Sequence, residues 1–315
     1  MRFSDYCSLT LVIGLFILAA LLPLIPDSDY LMSLALPIAM YTVLATSWAL
    51  FSGPTHYISL ATGAFYGVGA YVVGTGIEFI PYPVLLLIAG FSGIVLAGLV
   101  GIATLRLSGV YFVIFTLGLA ELIRQLVTWI QNNFTGSRGL YVLTDITENY
   151  IYWQLIALTA LVFLVGWLIK RSRLGFALRI IGNDELVAGH CGINSAGCKV
   201  ILFMVSGCFA AVVGAVMAPR FTYIEPSMAF SPELSFQVVI MALLGGVHRL
   251  WGPLVGVIPF TLLWEVIASS FPTQTVLLLG VSFLLIVYFI PDGVVGRLED
   301  LVKSMRLARP GSNRG

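Results

Sequence analysis

Apolar runs of about twenty residues, separated by short polar links, recur along almost the whole chain. A helix of that length crosses about 30 Å of hydrocarbon. The pattern predicts ten spans, at 7–25, 31–51, 57–77, 82–105, 108–130, 150–169, 198–220, 234–247, 251–271 and 273–290. Three links are long: 131–149, 170–197 and 221–233. The predicted fold class is an all-α polytopic membrane protein, with one transmembrane domain over 1–315, a charged central segment at 170–197 and a basic tail at 292–315. The first run lacks a small-residue cleavage site and is followed by further spans, so it reads as a retained helix.

Composition agrees with the pattern. Of 315 residues, 59% are hydrophobic and 10% charged, and the mean hydropathy is +1.01, outside the range of soluble globular chains. A net charge of +1 says little, because in a membrane protein the placement of charge matters more than its sum. With 170–197 in the cytoplasm and the spans alternating outward, thirteen of the sixteen basic residues fall inside, and only Arg124, Arg138 and Arg220 lie elsewhere. The positive-inside rule therefore predicts that both termini are cytoplasmic.

The stretch 170–199 carries Lys170, Arg171, Arg173, Arg179, Asp184, Glu185 and Lys199. Burying all seven at mid-bilayer would cost about 17–25 kcal/mol, so the stretch lies outside the hydrocarbon. Its order of residues predicts a short helix. Asn183 is placed to cap it, and Asp184 and Glu185 follow in the first turn, where the helix dipole favours negative charge. Gly192 is placed to stop it in the left-handed conformation, with Ile193 as the apolar residue beyond. Leu186, Gly189, His190 and Ile193 share one face, with Ala188 and Cys191 between them. So short a helix is marginal alone in water. Either something grips it, or the stretch is a connector between two spans.

The stretch 51–74 is unusually rich in glycine. Gly63, Gly67 and Gly74 recur at a spacing that permits close helix approach, and Gly53-Pro54 is expected to break the preceding helix. With Ser59, Phe65 and Tyr71, this run either lines a pathway or packs tightly against neighbours. Glu121 and Arg124 stand three residues apart on one helical face and so can neutralise each other in the membrane. They are candidates either for the pathway or for a structural clamp. Glu265 has no partner nearby in sequence. The chain has no phosphate-binding G-x-x-x-x-G-K-[ST] loop and no nucleophile elbow. His56, His190 and His248 lie far apart in sequence. The four cysteines, Cys7, Cys191, Cys198 and Cys208, show no metal-ligand spacing. Nothing argues for catalysis, a metal or a nucleic acid partner.

Taken together, RSRLGFALRIIGNDELVAGHCGI with the following SAGCKVILFMVSG resembles the cytoplasmic loop of the permease subunits of branched-chain amino acid ABC importers, most closely the LivM type. SLATGAFYGVGAYV at 59–72, LRLSGVYFVIFTLGLAELIR at 105–124, FTGSRGL at 134–140 and YIEPSMAFSPELSFQVVIMALLGGVHRLWGPLVG at 223–256 agree in order, so the likeness extends from about Trp48 to Gly256. Gly182 departs from the family, which often has a basic residue there. Ala188-Gly189 stand in place of paired alanines, Ala210-Ala211 in place of a frequent Ala-Gly, and His248-Arg249 in place of smaller residues.

The resemblance implies an ABC importer permease fold in a bacterial inner membrane. The implied partners are a second, LivH-like permease, two cytoplasmic ATPases that hold the ATP and Mg, and a periplasmic binding protein. The short helix becomes a coupling helix, with Arg179, Asn183, Asp184, Glu185, Leu186, Ala188, Gly192 and Ile193 as its candidate residues. Ser59, Gly63, Phe65, Gly67, Tyr71, Glu121 and Arg124 are candidates for the translocation path. The implied cargo is a branched-chain amino acid or a related small amino acid or amide. Alternatives are a urea or short-amide permease, and a stand-alone ion-coupled transporter in which Glu121, Arg124 and Glu265 are the coupling charges.

Overall fold

The computed structural model describes Pro23 and residues 29–104, 109–136, 139–271 and 273–289. Apart from Pro23, the predicted first span at 7–25 and the tail at 292–315 lie outside the described residues. The elements in chain order are α1 (Asp29–Thr55), α2 (Thr62–Gly76), α3 (Tyr82–Thr104), α4 (Val110–Ile130, prolonged by a wide turn Gln131–Thr135), β1 (Leu140–Tyr141), α5 (Glu148–Arg171), α6 (Arg173–Asn183), α7 (Glu185–His190), α8 (Ser195–Met217), β2 (Tyr223–Ile224), α9 (Pro226–Ala229), α10 (Pro232–Gly245), α11 (Gly252–Ser270) and α12 (Thr275–Phe289). Seven of the described helical stretches are long and apolar enough to cross a membrane. Each of the nine predicted spans inside the described residues contains a helix, but α2 and α12, at 15 residues each, reach only about 22 Å.

Helix α8 is the centre of the bundle and packs against α1, α2, α3 and α5. Its crossing with α2 is tight because glycine faces backbone on both sides. A Cβ at Gly69 would overlap the carbonyl of Ala211, and one at Gly214 the carbonyl of Tyr66. Such contact lets two helices meet where lipid gives no hydrophobic drive for association. Beside this crossing an aromatic cluster fills the core, with Phe203 5.0 Å from Phe51 and 5.4 Å from Phe65 by ring centroids, and Phe112 6.1 Å from both Phe51 and Phe203. Helix α4 stands apart, burying only Phe112, Thr116 and Ala120 while Tyr111, Ile114, Leu122, Leu126 and Trp129 stay exposed.

The bundle has two ends. At one, α6 and α7 join α5 to α8; at the other, β1 and β2 pair antiparallel, Leu140 opposite Ile224 and Tyr141 opposite Tyr223. The predicted span 57–77 differs from the fold observed. Pro54 is accommodated in the last turn of α1, and the helix breaks two residues later at His56, whose φ is +58°. Residues 57–61 then run without helix, and α2 starts only at Thr62. The irregular backbone is satisfied by side chains, as it must be at membrane depth. The Trp48 indole donates to the Ser59 carbonyl at 2.8 Å, the Leu60 amide to Thr116 Oγ1 at 3.1 Å, and the Gly63 amide to Ser235 Oγ at 2.8 Å.

Candidate functional site

The segment 170–197 holds two helices where the pattern predicts one. Arg173–Asn183 forms α6, with Ser172 Oγ accepting from the Gly175 amide at 3.4 Å, and it buries Gly175, Leu178 and Ile181. Asn183 therefore closes α6 and does not cap the next helix. Asp184 does: its backbone is extended and its Oδ1 accepts from the Val187 amide at 3.3 Å. The one-residue shift follows from propensity, because the apolar stripe of α6 continues to Ile181 and carries the helix through Asn183.

The stop of α7 matches its predicted grammar. Gly192 takes φ +75°, the Ile193 amide donates to the Ala188 carbonyl at 3.0 Å, and the Gly192 amide to the Gly189 carbonyl at 3.0 Å, a paired-bond termination that satisfies two otherwise orphaned carbonyls. Ala188 is fully buried and Ile193 partly so, while Gly189, His190 and Cys191 are exposed. The side chain of Leu186 lies outside the described residues.

Lys199, one turn into α8, was missed as a site residue. It is 1% exposed, and its Nζ donates to both carboxylate oxygens of Glu185 at 2.7 Å and lies 4.3 Å from the Tyr57 ring centroid. A buried ammonium demands such a charge partner, and the aromatic face adds a cation–π contact. One lysine thus ties α7 to the base of the central helix and to the irregular 57–61 stretch. No spacing rule links positions 57, 185 and 199.

Of the candidate path residues, Ser59, Gly63, Phe65, Gly67 and Tyr71 are buried among protein atoms. A Cβ at Gly63 would lie against the Ser231 carbonyl at 2.7 Å, and one at Gly67 would fall into the Phe230 ring. Tyr71 packs on Phe230 with ring centroids 5.4 Å apart and donates to Gln131 Oε1 at 3.3 Å. The glycine stripe is a packing seam, and the two cavities described here lie elsewhere. Glu121 and Arg124 pair with each other through two hydrogen bonds, one of them 2.8 Å from Nε, with Gln125 also donating to Glu121 at 2.9 Å. The pair sits half-exposed on α4.

The opposite face of α2 does meet open space. Tyr66 and Ala70 line a cavity of about 340 Å³ at the β1–β2 end, together with Tyr41, Met241, Trp264, Arg220 and Glu265. Its wall is aromatic and methionine-rich, with one cation and one anion. Tyr41 donates to Gln237, and Arg220 Nε lies 3.4 Å from Glu148 Oε1. Thr261, also in the wall, has a buried hydroxyl with no hydrogen-bond partner among the described residues. Cavities of this kind, apolar with few polar anchors, bind small amphipathic molecules.

No group of three or more potential metal ligands occurs among the described residues. His56 and His248, distant in sequence, do come together, with ring centroids 5.8 Å apart.

Comparison with known proteins agrees with the membrane architecture. The family described as branched-chain amino acid transport system / permease component matches residues 30–290. The chain is 24% identical to the high-affinity branched-chain amino acid transport system permease protein LivM of Escherichia coli K12, over 81% of this chain and 68% of that protein. It is 22% identical to BraD of Pseudomonas aeruginosa and to LivH of Salmonella typhimurium, permease proteins of the same kind of system, in each case over 82% of this chain and 92% of the relative. No solved structure matches the chain. With seven described spans in a helical membrane bundle and the family match running from the first described helix to the last, the chain belongs to the branched-chain amino acid transport system permease family.

Proposed function

We propose that the chain is the membrane-spanning subunit of an ABC importer in a bacterial inner membrane. It would translocate branched-chain amino acids, or related small amino acids or amides, by alternating access. In this proposal segment 170–197 is cytoplasmic, and partner ATPases push on α7. The supporting observation is the Glu185–Lys199–Tyr57 tie, which makes α7 a lever fixed to α8, the helix against which α1, α2, α3 and α5 all pack. Force on the exposed side of Val187, Gly189 and His190 then tilts the helices around the cavity as a unit.

The 340 Å³ cavity is the proposed seat of the cargo. An amino acid carries a carboxylate, an ammonium and, in the branched-chain case, an apolar side chain. Arg220, Glu265 and the wall of Tyr41, Tyr66, Met241 and Trp264 complement these three parts in turn. The second, LivH-like permease is proposed to sit on α4, because a half-exposed ion pair at Glu121–Arg124 is costly in lipid and calls for protein or water beside it. A periplasmic binding protein would deliver the cargo, and ATP and Mg would reside on the partner ATPases.

The test is reconstitution in liposomes. The chain assembled with a second permease and ATPases should accumulate leucine only with internal ATP and binding protein. Accumulation by the purified chain alone, driven by an ion gradient, would replace the proposal with a secondary transporter.

A further inference from the structure

A second cavity, of about 620 Å³, opens at the α6–α7 end. Five basic side chains from four parts of the chain line it: His56 after α1, Lys170 at the end of α5, Arg179 on α6, and His248 and Arg249 in the α10–α11 turn. Among the described residues no carboxylate lines it. Among the described residues neither Lys170 nor Arg179 forms an ion pair, yet Lys170 lies within electrostatic reach of both Arg179 and Arg249. Lys170 and Arg179 thus face each other's positive charge at one space without a counter-ion among the described residues, and an anion seated between them would relieve the repulsion. The His56 backbone is left-handed, which places its imidazole beside His248 at this rim.

The floor is of another kind. Ala49, Leu50 and Leu178 are buried in it, and Gly53, Gly175 and Gly182 let neighbouring backbone close in around it. A free phosphate would satisfy the rim and leave the floor unfilled; an amphiphile satisfies both. Just outside, α5 turns Leu161, Leu164, Trp167 and Leu168 outward, and the Arg171 guanidinium lies 4.1 Å from the Trp167 ring centroid. A lipid-facing aromatic beside arginine marks the depth of phospholipid headgroups.

From this geometry we propose that the cavity binds the phosphate-bearing headgroup of an acidic phospholipid, with the proximal part of the lipid on the apolar floor. Basic pockets between spans at the charged face of a membrane are known to take such headgroups.

Native mass spectrometry of the full chain, released from detergent with phosphatidylglycerol or phosphatidylcholine, reads the site directly. Phosphatidylglycerol should be retained preferentially, and inorganic phosphate in excess should not displace it. Lys170→Gln with Arg179→Gln should weaken retention about thirtyfold, as removal of two charges near the surface predicts. Arg179→Lys, which keeps the charge, should restore most of it, and Arg171→Gln, outside the cavity, should leave it unchanged. The thermal melt of each lipid-free variant checks that it is folded. Equal retention of both lipids, or an equal loss with Arg171→Gln, would reduce the effect to general surface charge and overturn the proposal. Displacement by inorganic phosphate would assign the site to a soluble anion instead. Loss of retained lipid on adding the ATPases, together with failure of the double variant to bind them, would make it a protein contact. None of these readouts depends on transport, so the importer proposal stands or falls separately.

Discussion

The two cavities differ in what they ask of a ligand. The one at the β1–β2 end pairs a single cation, Arg220, with a single anion, Glu265, across an aromatic and thioether wall. The one at the α6–α7 end gathers basic groups only, above an aliphatic floor. The first suits a molecule with no net charge and two opposite poles; the second suits a molecule with net negative charge and a greasy part. Fold does not decide this difference, since α1 lines both and the α10–α11 hairpin reaches both, its helices at one cavity and its turn at the other. Four or five side chains at the helix ends decide it.

The most severe way to break the comparison is to remove the scaffold both cavities share. Gly214→Leu would drive a side chain into the Tyr66 carbonyl at the α2–α8 crossing. It should destabilise the bundle by about 3 kcal/mol or more, read as loss of the monodisperse peak on detergent size exclusion. Gly98→Ala, where the nearest atoms are 3.5 Å or more away on the flexible Met204 side chain, should leave that peak intact.

Next in size is an attack on the cargo cavity alone. Glu265→Gln or Arg220→Gln should raise the KM for leucine uptake by the assembled importer about tenfold to a hundredfold, as loss of a charge-assisted hydrogen bond does. Basal ATPase activity and phosphatidylglycerol retention should not change. A parallel loss of lipid retention would mean that the two cavities are not independent.

The lever gives a smaller effect. Glu185→Gln leaves Lys199 buried without its counter-charge and should cost about 2 kcal/mol of stability, seen as a lower melting temperature. Substrate-stimulated ATPase should fall further than the melt alone explains. The swap Glu185→Lys with Lys199→Glu should recover part of both; no recovery would mean the pair is not the link. Smallest of all, Tyr41→Phe removes one hydrogen bond to Gln237 in the cavity wall and should change the KM by about threefold.

Much of this was legible in the linear pattern. The apolar runs place nine described helices, and the Gly192–Ile193 stop is written in two adjacent residues, because helix termination is a local matter of backbone conformation. The start of α7 was misplaced by one residue, since Asn183 and Asp184 are both good caps and only the packing of Ile181 decides between them. The short α2 was hidden for a different reason. Residues 57–61 are as apolar as a span, and what releases them from helix is the set of distant hydrogen-bonding groups on Trp48, Thr116 and Ser235. In the sequence Lys199 is one more positive-inside charge, and only the fold brings Glu185 and Tyr57 to it. Both cavities lie between elements far apart in the sequence, as the His56–His248 approach illustrates, and no periodicity within one helix encodes such a space.

The stretch from Ser59 to Gly63 is held by α1, α4 and α10 at once, one peptide group to each. A rotation of any of the three by a fraction of a turn would strand a donor or an acceptor in an oil-like surrounding. Five residues therefore act as a gauge of the register among three helices, and any other arrangement of the three would have to re-form all three bonds to be tolerated.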